Sequence, residues 1–486
     1  MSVVLLANVG NSDLEIDPKE LLPQKPDNKK WLSRELGEEV LNNYNKYKPH
    51  IKLPLILPTI DYIAKREGID AKDIKIYLFA SDQQQDKTDA SEWQKDTALV
   101  AQVIQKYLVE IIGTPEESLT IRHIEGNPAD YSNALDFHLK VLKEIRAKEG
   151  IDAHYYMEVS GGTPAMTAML ILMGAEVFGQ AVSTLYLDRS SKEPNLIDTA
   201  QVLFARKTRE LLRNQIKLHA YAVALQTFSD NASLIVDNER NRNLIKRLLR
   251  YADGRLAFDY ERAREELRET HATGNTQVKL RFWYNELREP DSAKIIAELI
   301  SSAKIKLKIG EYADFTQRLF RFQEATFHYI AEKMGIQYGK DKQYLSNTWL
   351  TNNPKLQDYL QKYYRNQKGE RTNEPNPVDT NRSLNRYNLG AIVEYFVTYD
   401  PQWRHLQPTL DQLFQLSRVA DLRNKGIAGH GFEGVSDADI ESAYQSPIDE
   451  LVKNIEGIYR DVFEADVPPN PYDELNKVIF SLLEEV

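Results

Sequence analysis

The chain has no cysteine, and that absence excludes disulfides, thiolate nucleophiles and cysteine-based zinc sites together. Its nine histidines are scattered along 486 residues. Neither a His-Glu-x-x-His pair nor a cluster of histidines with carboxylates occurs, so no catalytic metal is expected. Positive charge is also in short supply: 62 Lys and Arg stand against 72 Asp and Glu, a net charge of −10. An obligate nucleic-acid binder carries a global positive field, so any contact with RNA here must be local. Long apolar runs are missing as well. The longest, residues 165–178, is too short to cross a bilayer and reads as a buried helix. Residues 1–8 are apolar but follow no basic segment, and acidic residues begin at Asp13, which does not fit a signal peptide. A cytoplasmic protein without a membrane partner is expected.

The length favours two to four domains. Short apolar runs at 2–7, 74–80, 119–124, 154–159 and 183–187 read as buried strands. Helical patterns at 54–66, 94–112, 128–147 and 163–178 separate them. Alternation of this kind predicts an α/β domain, a Rossmann-like, mostly parallel sheet covered on both faces, over residues 1–200. Residues 15–50 form a polar insertion with helical character at its end. Beyond residue 200 the strand signals stop and the chain becomes all-α: a helical connecting region over 201–302, then a second helical domain over 303–486. Within the latter, residues 365–388 are dense in Asn, Arg, Pro and Gly and are expected to form a mobile loop. A last amphipathic helix is expected at 472–483.

Ligands of an open parallel sheet bind outside the carboxyl ends of its strands. Those ends carry Asn8-Val9-Gly10-Asn11-Ser12, then Ser81-Asp82-Gln83, then Glu125-Gly126-Asn127, then Ser160-Gly161-Gly162-Thr163-Pro164. The fourth is the most distinctive. Two glycines expose backbone N–H groups, Thr163 can cap a helix and Pro164 suits its first turn, a combination that attracts phosphate. No Gly-x-Gly-x-x-Gly follows the first strand and no Gly-Lys-Ser/Thr occurs, which disfavours a dinucleotide dehydrogenase and a P-loop ATPase.

Near the C-terminus the chain reads Arg423-Asn424-Lys425-Gly426-Ile427-Ala428-Gly429-His430. Seven residues of helix turn through roughly 700° and rise about 10 Å, placing Arg423 and His430 on one face. RNA supplies its own 2′-OH nucleophile, so cutting it needs a group that moves protons near neutrality and a cation for the phosphorane. His and Arg have those properties. The spacing itself is common: Arg264 and His271, and Arg321 and His328, repeat it, and Arg213 and His219 come within one residue of it. The charge-laced and aromatic surroundings of those pairs fit ordinary helix faces. Only the 423 pair has a polar residue after the Arg and two glycines before the His.

Taken together, the two ends resemble the CRISPR-associated type III accessory ribonucleases of the Csm/Csx type, which join a CARF sensor domain to a HEPN effector domain. Arg423, Asn424 and His430 match the HEPN pattern, and the turns at 8–12 and 160–164 look like the two ligand loops of a CARF domain. The resemblance implies a homodimer whose CARF domains bind a cyclic oligoadenylate, cyclic tetra-adenylate or else cyclic hexa-adenylate, with no other cofactor. It implies a metal-independent endoribonuclease that cuts single-stranded RNA and leaves 2′,3′-cyclic phosphate ends. Arg423 would stabilise the phosphorane, His430 would transfer a proton or orient the 2′-OH, and Asn424 would position the site. The ligand residues would be Asn8, Gly10, Asn11, Ser12, Ser81, Asp82, Asn127, Ser160, Gly161, Gly162 and Thr163. Some relatives also degrade their activator, a ring nuclease activity left open for this chain. The alternatives are a non-catalytic sensor that signals to a partner and a metabolic enzyme with a Rossmann-like domain.

Overall fold

The computed structural model describes residues 2–25, 30–188, 191, 193–268, 270, 272–339, 343–425 (backbone only at 424 and 425) and 432–484. Two compact units divide at Thr208 and Arg209.

The first unit holds a six-stranded sheet. Its strands are β1 (Val3–Asn8), β2 (Lys75–Ser81), β3 (Leu119–Ile124), β4 (His154–Glu158), β5 (Val182–Tyr186) and β6 (Asn195–Ile197). They lie in the order β3-β2-β1-β4-β5-β6, and every neighbouring pair is parallel except the antiparallel β5–β6 pair. All six residues of β1 are buried, as a central strand covered on both faces requires. Its side chains alternate between two cores. Val3, Leu5 and Ala7 join Ile76, Leu78 and Ala80 of β2 on one face, while Val4 and Leu6 join Tyr77 and Phe79 on the other.

Helices α1 (Ser33–Asn42), α2 (Ile56–Glu67) and α3 (Ala98–Tyr107) cover the first face through residues such as Val40, Ile60 and Ile104. Helices α4 (Tyr131–Glu149) and α5 (Pro164–Phe178) cover the second through Leu142, Ile145, Met166 and Leu170. The apolar run of residues 165–178 is therefore the sheet-covering helix its composition suggested. Two features differ from the sequence reading. β6 was not foreseen, since its three residues carry no buried apolar pattern. The polar insertion is closed at its base by an antiparallel pair, Glu15–Ile16 with Ile51–Lys52.

The second unit is helical in all its named elements. It contains α6 (Thr199–Lys217, whose start lies before the division), α7 (Tyr221–Ile235), α8 (Glu239–Leu256), α9 (Tyr260–Arg268), α10 (Gly274–Glu286), α11 (Ser292–Lys308), α12 (Tyr312–Lys333), α13 (Pro354–Gln361), α14 (Arg386–Tyr399), α15 (Gln407–Lys425), α16 (Asp437–Tyr444), α17 (Ile448–Phe463) and α18 (Pro471–Glu484). One apolar core runs from Ile296 on α11 through Leu319 and Phe327 on α12, Ile392 on α14 and Leu416 on α15 to Ile458 on α17. A buried ionic knot ties α8, α10, α11 and α18: Arg255 grips Glu298 at 2.7 and 3.2 Å and Glu286 at 3.0 Å, and the Tyr472 hydroxyl donates to Glu298 at 3.2 Å.

Residues 365–388, expected as a mobile loop, are tied inward instead. The Arg365 guanidinium forks onto Glu394 of α14 at 2.9 and 3.0 Å and donates to the Gly369 carbonyl at 2.7 Å. The Tyr387 hydroxyl lies 3.0 and 2.8 Å from the Arg365 and Asn376 carbonyls, and Val378 and Leu384 are buried. Asn and Arg suggested a solvated stretch, but Arg365 spends its hydrogen bonds on Glu394 and the Gly369 carbonyl, and Asn376 donates to the Arg365 carbonyl.

Candidate functional site

In this strand order the chain turns from one half of the sheet to the other between β1 and β4, and that switch point is where an open α/β sheet binds ligands. The loops after β1 and β4 meet there, backbone against backbone. A Cβ on Gly161 would lie 2.4 Å from the Asn8 carbonyl oxygen and 2.8 Å from Asp13 Oδ2. One on Gly10 would lie 2.6 Å from the Gly162 nitrogen, and one on Gly162 would lie 2.7 Å from the Asn8 Cβ. Gly162 also has φ +85°, a left-handed conformation that other residues adopt at a cost. The glycines that suggested phosphate binding are thus needed first for this close approach.

Beneath the seam lie four buried polar side chains, Asn8, Asp13, His138 and Glu158. Asn8 and His138 of α4 are both fully buried, with Asn8 Oδ1 3.0 Å from His138 Nε2 and His138 Nδ1 2.8 Å from the Ala134 carbonyl. Burial pushes the imidazole down from its ordinary 6.5 to about 4, so the ring is neutral and its proton sits on Nδ1, facing the carbonyl. Nε2 is then an acceptor. An Asn8 amide turned to present Nδ2 to it satisfies both groups, whereas the opposite orientation leaves Nδ2 buried with no acceptor. Asp13 accepts from the Gly10 N–H at 2.6 Å, and its second oxygen, Oδ1, is buried without a partner. Burial raises its carboxyl well above the usual range, and neighbouring Glu158 pushes the same way. Glu158 is itself raised by burial, against the pull of the Ser160 and Gly161 N–H groups.

Of the two glycine N–H groups expected to face a ligand, that of Gly161 turns inward to Glu158 at 3.4 Å, beside the Ser160 N–H at 2.8 Å. Thr163 caps α5 by accepting from the Met166 N–H at 3.2 Å, and its hydroxyl donates to the Pro128 carbonyl, joining the fourth loop to the third. The Ser160 hydroxyl accepts from the Leu187 N–H at 2.7 Å. Ser81 is buried and exchanges hydrogen bonds with Thr97. Asp82 is exposed and pairs with Arg34 of α1 at 2.7 Å, a cation that also holds Asp96 at 3.2 Å and stacks on Trp93. Asn11 accepts from the Ser33 hydroxyl of α1, and Ser12 is half-buried. Asn127 is exposed and shapes its own turn by accepting from the Ala129 N–H at 2.9 Å. The four strand ends therefore present one surface, with Asn8, Ser81 and Gly161 as its floor and Asn11, Asp82 and Asn127 at its rim.

In the second unit Arg423 lies in the last turn of α15. Its guanidinium stacks over the Phe320 ring of α12 at 4.3 Å, and its Nε is buried without a hydrogen-bond partner. The guanidinium of Arg386, the first residue of α14, lies 5.5 Å from the same ring. The Asn424 side chain and His430 lie outside the described residues. Of the rival pairs, Arg321 bonds to Glu324 at 2.5 Å and His328 to the Tyr338 hydroxyl at 3.2 Å, while Arg213 bonds to Glu484 and both ring nitrogens of the buried His219 have no hydrogen-bond partner among the described residues. Arg264 lies over the Tyr284 ring, and His271 is outside the described residues. Among the described residues no group of three His, Asp or Glu is arranged to hold a metal ion.

Residues 285–480 match the family model of the Csm6 HEPN domain, and this span contains Arg423, Phe320 and Arg386. The chain carries a Csm6-type HEPN domain. In fold the chain is similar over nearly its whole length to Enterococcus italicus Csm6, solved bound to cyclic hexa-2'-fluoro-hexa-dAMP. That match has a TM-score of 0.60 at 14% identity and covers 99% of this chain and 100% of that one. No curated protein matches the chain in sequence. The resemblance read from the sequence, with a parallel-sheet domain first and a HEPN domain last, is borne out. The sequence reading missed Phe320, Arg386 and His138. His138 left a trace: it occupies a core position on the buried Ala134, Val141, Leu142 and Ile145 face of α4. Phe320 and Arg386 left none, since 103 and 37 residues separate them from Arg423 in the sequence.

Proposed function

We propose that this chain is a ribonuclease of type III CRISPR antiviral defence, switched on by a cyclic oligoadenylate bound at the strand ends of its first unit. The observation that carries the proposal is the HEPN family match over the residues that include the Arg423 to His430 segment. In this reading Arg423 stabilises the phosphorane, His430 moves the proton or orients the 2′-OH, and Asn424 positions them, without a metal. Two such half-sites meet in a homodimer, cut single-stranded RNA and leave 2′,3′-cyclic phosphate ends. Residues 1–200 act as the sensor, 201–302 connect, and 303–486 cut.

The seam between the β1 and β4 loops supports the sensor assignment, because it lies where a ring of phosphates and adenines would rest across several strand ends. Asn11, Asp82, Asn127, Gly162 and Thr163 are then the ligand-facing members of the expected set, and Asn8, Ser81 and Gly161 hold the floor. The family resemblance favoured a four-nucleotide ring, with a six-nucleotide ring as the other choice. The six-nucleotide ring held by the Enterococcus italicus protein supports the larger one. Gating requires that the ligand bind the cutting conformation more tightly than the idle one.

The test is cleavage of a fluorescent single-stranded RNA in EDTA with cyclic tetra-adenylate, cyclic hexa-adenylate or neither, with His430→Ala as control. Activator-dependent cutting that is lost in His430→Ala is expected. Equal cutting without activator, or no cutting with either ring at micromolar protein, refutes the reading. A protein that binds the ring and signals normally with Arg423→Ala and His430→Ala in place is a sensor without catalysis.

A further inference from the structure

We propose that Arg386 is a positioning residue of the cutting site, orienting Arg423 and adding positive potential where the scissile phosphate binds. This rests on the ribonuclease reading above. Arg386 is buried, yet every acceptor of its guanidinium is neutral. Nη1 donates to Gln323 Oε1 at 3.2 Å and to the Ser417 carbonyl at 3.0 Å, and Nη2 donates to the Gln367 carbonyl at 3.1 Å. Among the described residues no carboxylate lies within ion-pair distance of it. A buried cation without an anion is costly.

Two further features add to that cost. Arg386 occupies the first turn of α14, whose Asn385 cap accepts from the Tyr387 and Asn388 N–H groups, so the cation sits at the positive end of the helix dipole. Its guanidinium also shares the Phe320 ring with Arg423, and burial, with a smaller push from that like charge, outweighs the pull of Asp421 and Glu324, holding it down to about 10. A structural arginine is normally placed to avoid all three. Their coincidence beside Arg423 describes a site whose positive charge is left for something that arrives, and a scissile phosphodiester supplies the missing anion.

The hydrogen bonds show how Arg386 also sets Arg423. The Ser417 carbonyl is on α15, six residues before Arg423. Gln323, three residues after Phe320 on α12, donates to the Leu413 carbonyl and to Ser417 Oγ while accepting from Arg386. Arg386 therefore fixes α15 against the helix that carries the stacking ring, and with it the direction of the Arg423 side chain.

The experiment compares the full chain with Arg386→Met and Arg386→Lys, measuring kcat and KM for activated RNA cleavage across a salt series, with a melting curve for each. Arg386→Met is expected to lower kcat about 10–100-fold. It should also make the dependence of log(kcat/KM) on log salt shallower by up to about 0.7, the change for one neutralised phosphate on a single strand. Arg386→Lys keeps the charge but not the planar fork, so it should restore the salt slope while kcat stays at least tenfold low. A folded Arg386→Met with unchanged kcat and salt slope overturns the proposal. If Arg386→Met fails to fold, a folded Arg386→Lys with the parent kcat overturns it instead. If the unmodified chain cuts no RNA under any activator, the ribonuclease reading fails and this inference with it; if the unmodified chain cuts and both variants match it, only this inference fails.

Discussion

Replacing Gly162 by alanine tests whether the seam between the β1 and β4 loops is as tight as its geometry indicates. The new Cβ would sit 2.7 Å from the Asn8 Cβ, well inside van der Waals contact, and φ would remain at +85°. Holding a non-glycine residue in the left-handed region costs about 1–2 kcal/mol, and forcing extra volume into a packed contact costs about 1–3 kcal/mol. The two together give about 2–5 kcal/mol, or a fall of about 4–20 °C in the melting temperature of a unit this size. The assay is thermal unfolding of the full chain, following the transition that a cyclic oligoadenylate raises. A double-mutant cycle separates the two costs. Asn8→Gly removes the clashing Cβ, so Gly162→Ala in that background should recover the steric part, about 1–3 kcal/mol, and keep the conformational part. If Gly162→Ala melts with the parent chain, or if Asn8→Gly and Gly162→Ala add without coupling, the two loops do not touch as described.

Four other outcomes follow from the same structure. His138 is neutral in the fold and held down to about 4 from 6.5, so the unfolded chain takes the proton first. Its contribution is complete above pH 6.5 and falls away by about 3 kcal/mol as pH drops toward 4, and His138→Gln should flatten that part of the pH–stability curve in urea titrations. Glu158 is shifted the other way: its contribution is full below the unfolded value of about 4.3 and is lost as pH rises through its higher folded value. Glu158→Gln should therefore make stability less sensitive to pH above 4. Phe320→Leu removes the surface on which Arg423 stacks, worth about 0.5–2 kcal/mol, and should lower activated RNA cleavage by about 2–30-fold with little change in melting. Glu394→Ala leaves the Arg365 guanidinium without its carboxylate and should cost about 3–5 kcal/mol, read as a lower urea midpoint.

The sheet was legible because a parallel strand buried on both faces must be apolar at every position, and Val3 to Ala7 or Ile76 to Ala80 can be read as nothing else of that length. β6 was not, since its residues neither alternate nor run apolar. The strand-end site was half legible. The glycines and small polar residues marked where the loops lie, but not that Ser160 and Gly161 turn their N–H groups inward to Glu158, because Glu158 reads simply as the end of a strand. Composition misled at residues 365–388, where Arg365 finds its carboxylate 29 residues further on. The same limit hid the surroundings of Arg423. Phe320 and Arg386 come from different helices, and nothing local to either marks them as neighbours of the motif.

The meeting of Gly10 with Gly162, and of Gly161 with the Asn8 carbonyl, has a mechanical consequence. Where side chains touch, a small displacement is absorbed as one of them turns to another rotamer. Main chain pressed on main chain has no such slack, and a well-packed contact can only hold or separate. A molecule settling on the turn after β4 by less than an ångström must carry the turn after β1 with it. Two loops some 150 residues apart in the chain behave there as a single moving part, like meshed teeth without backlash.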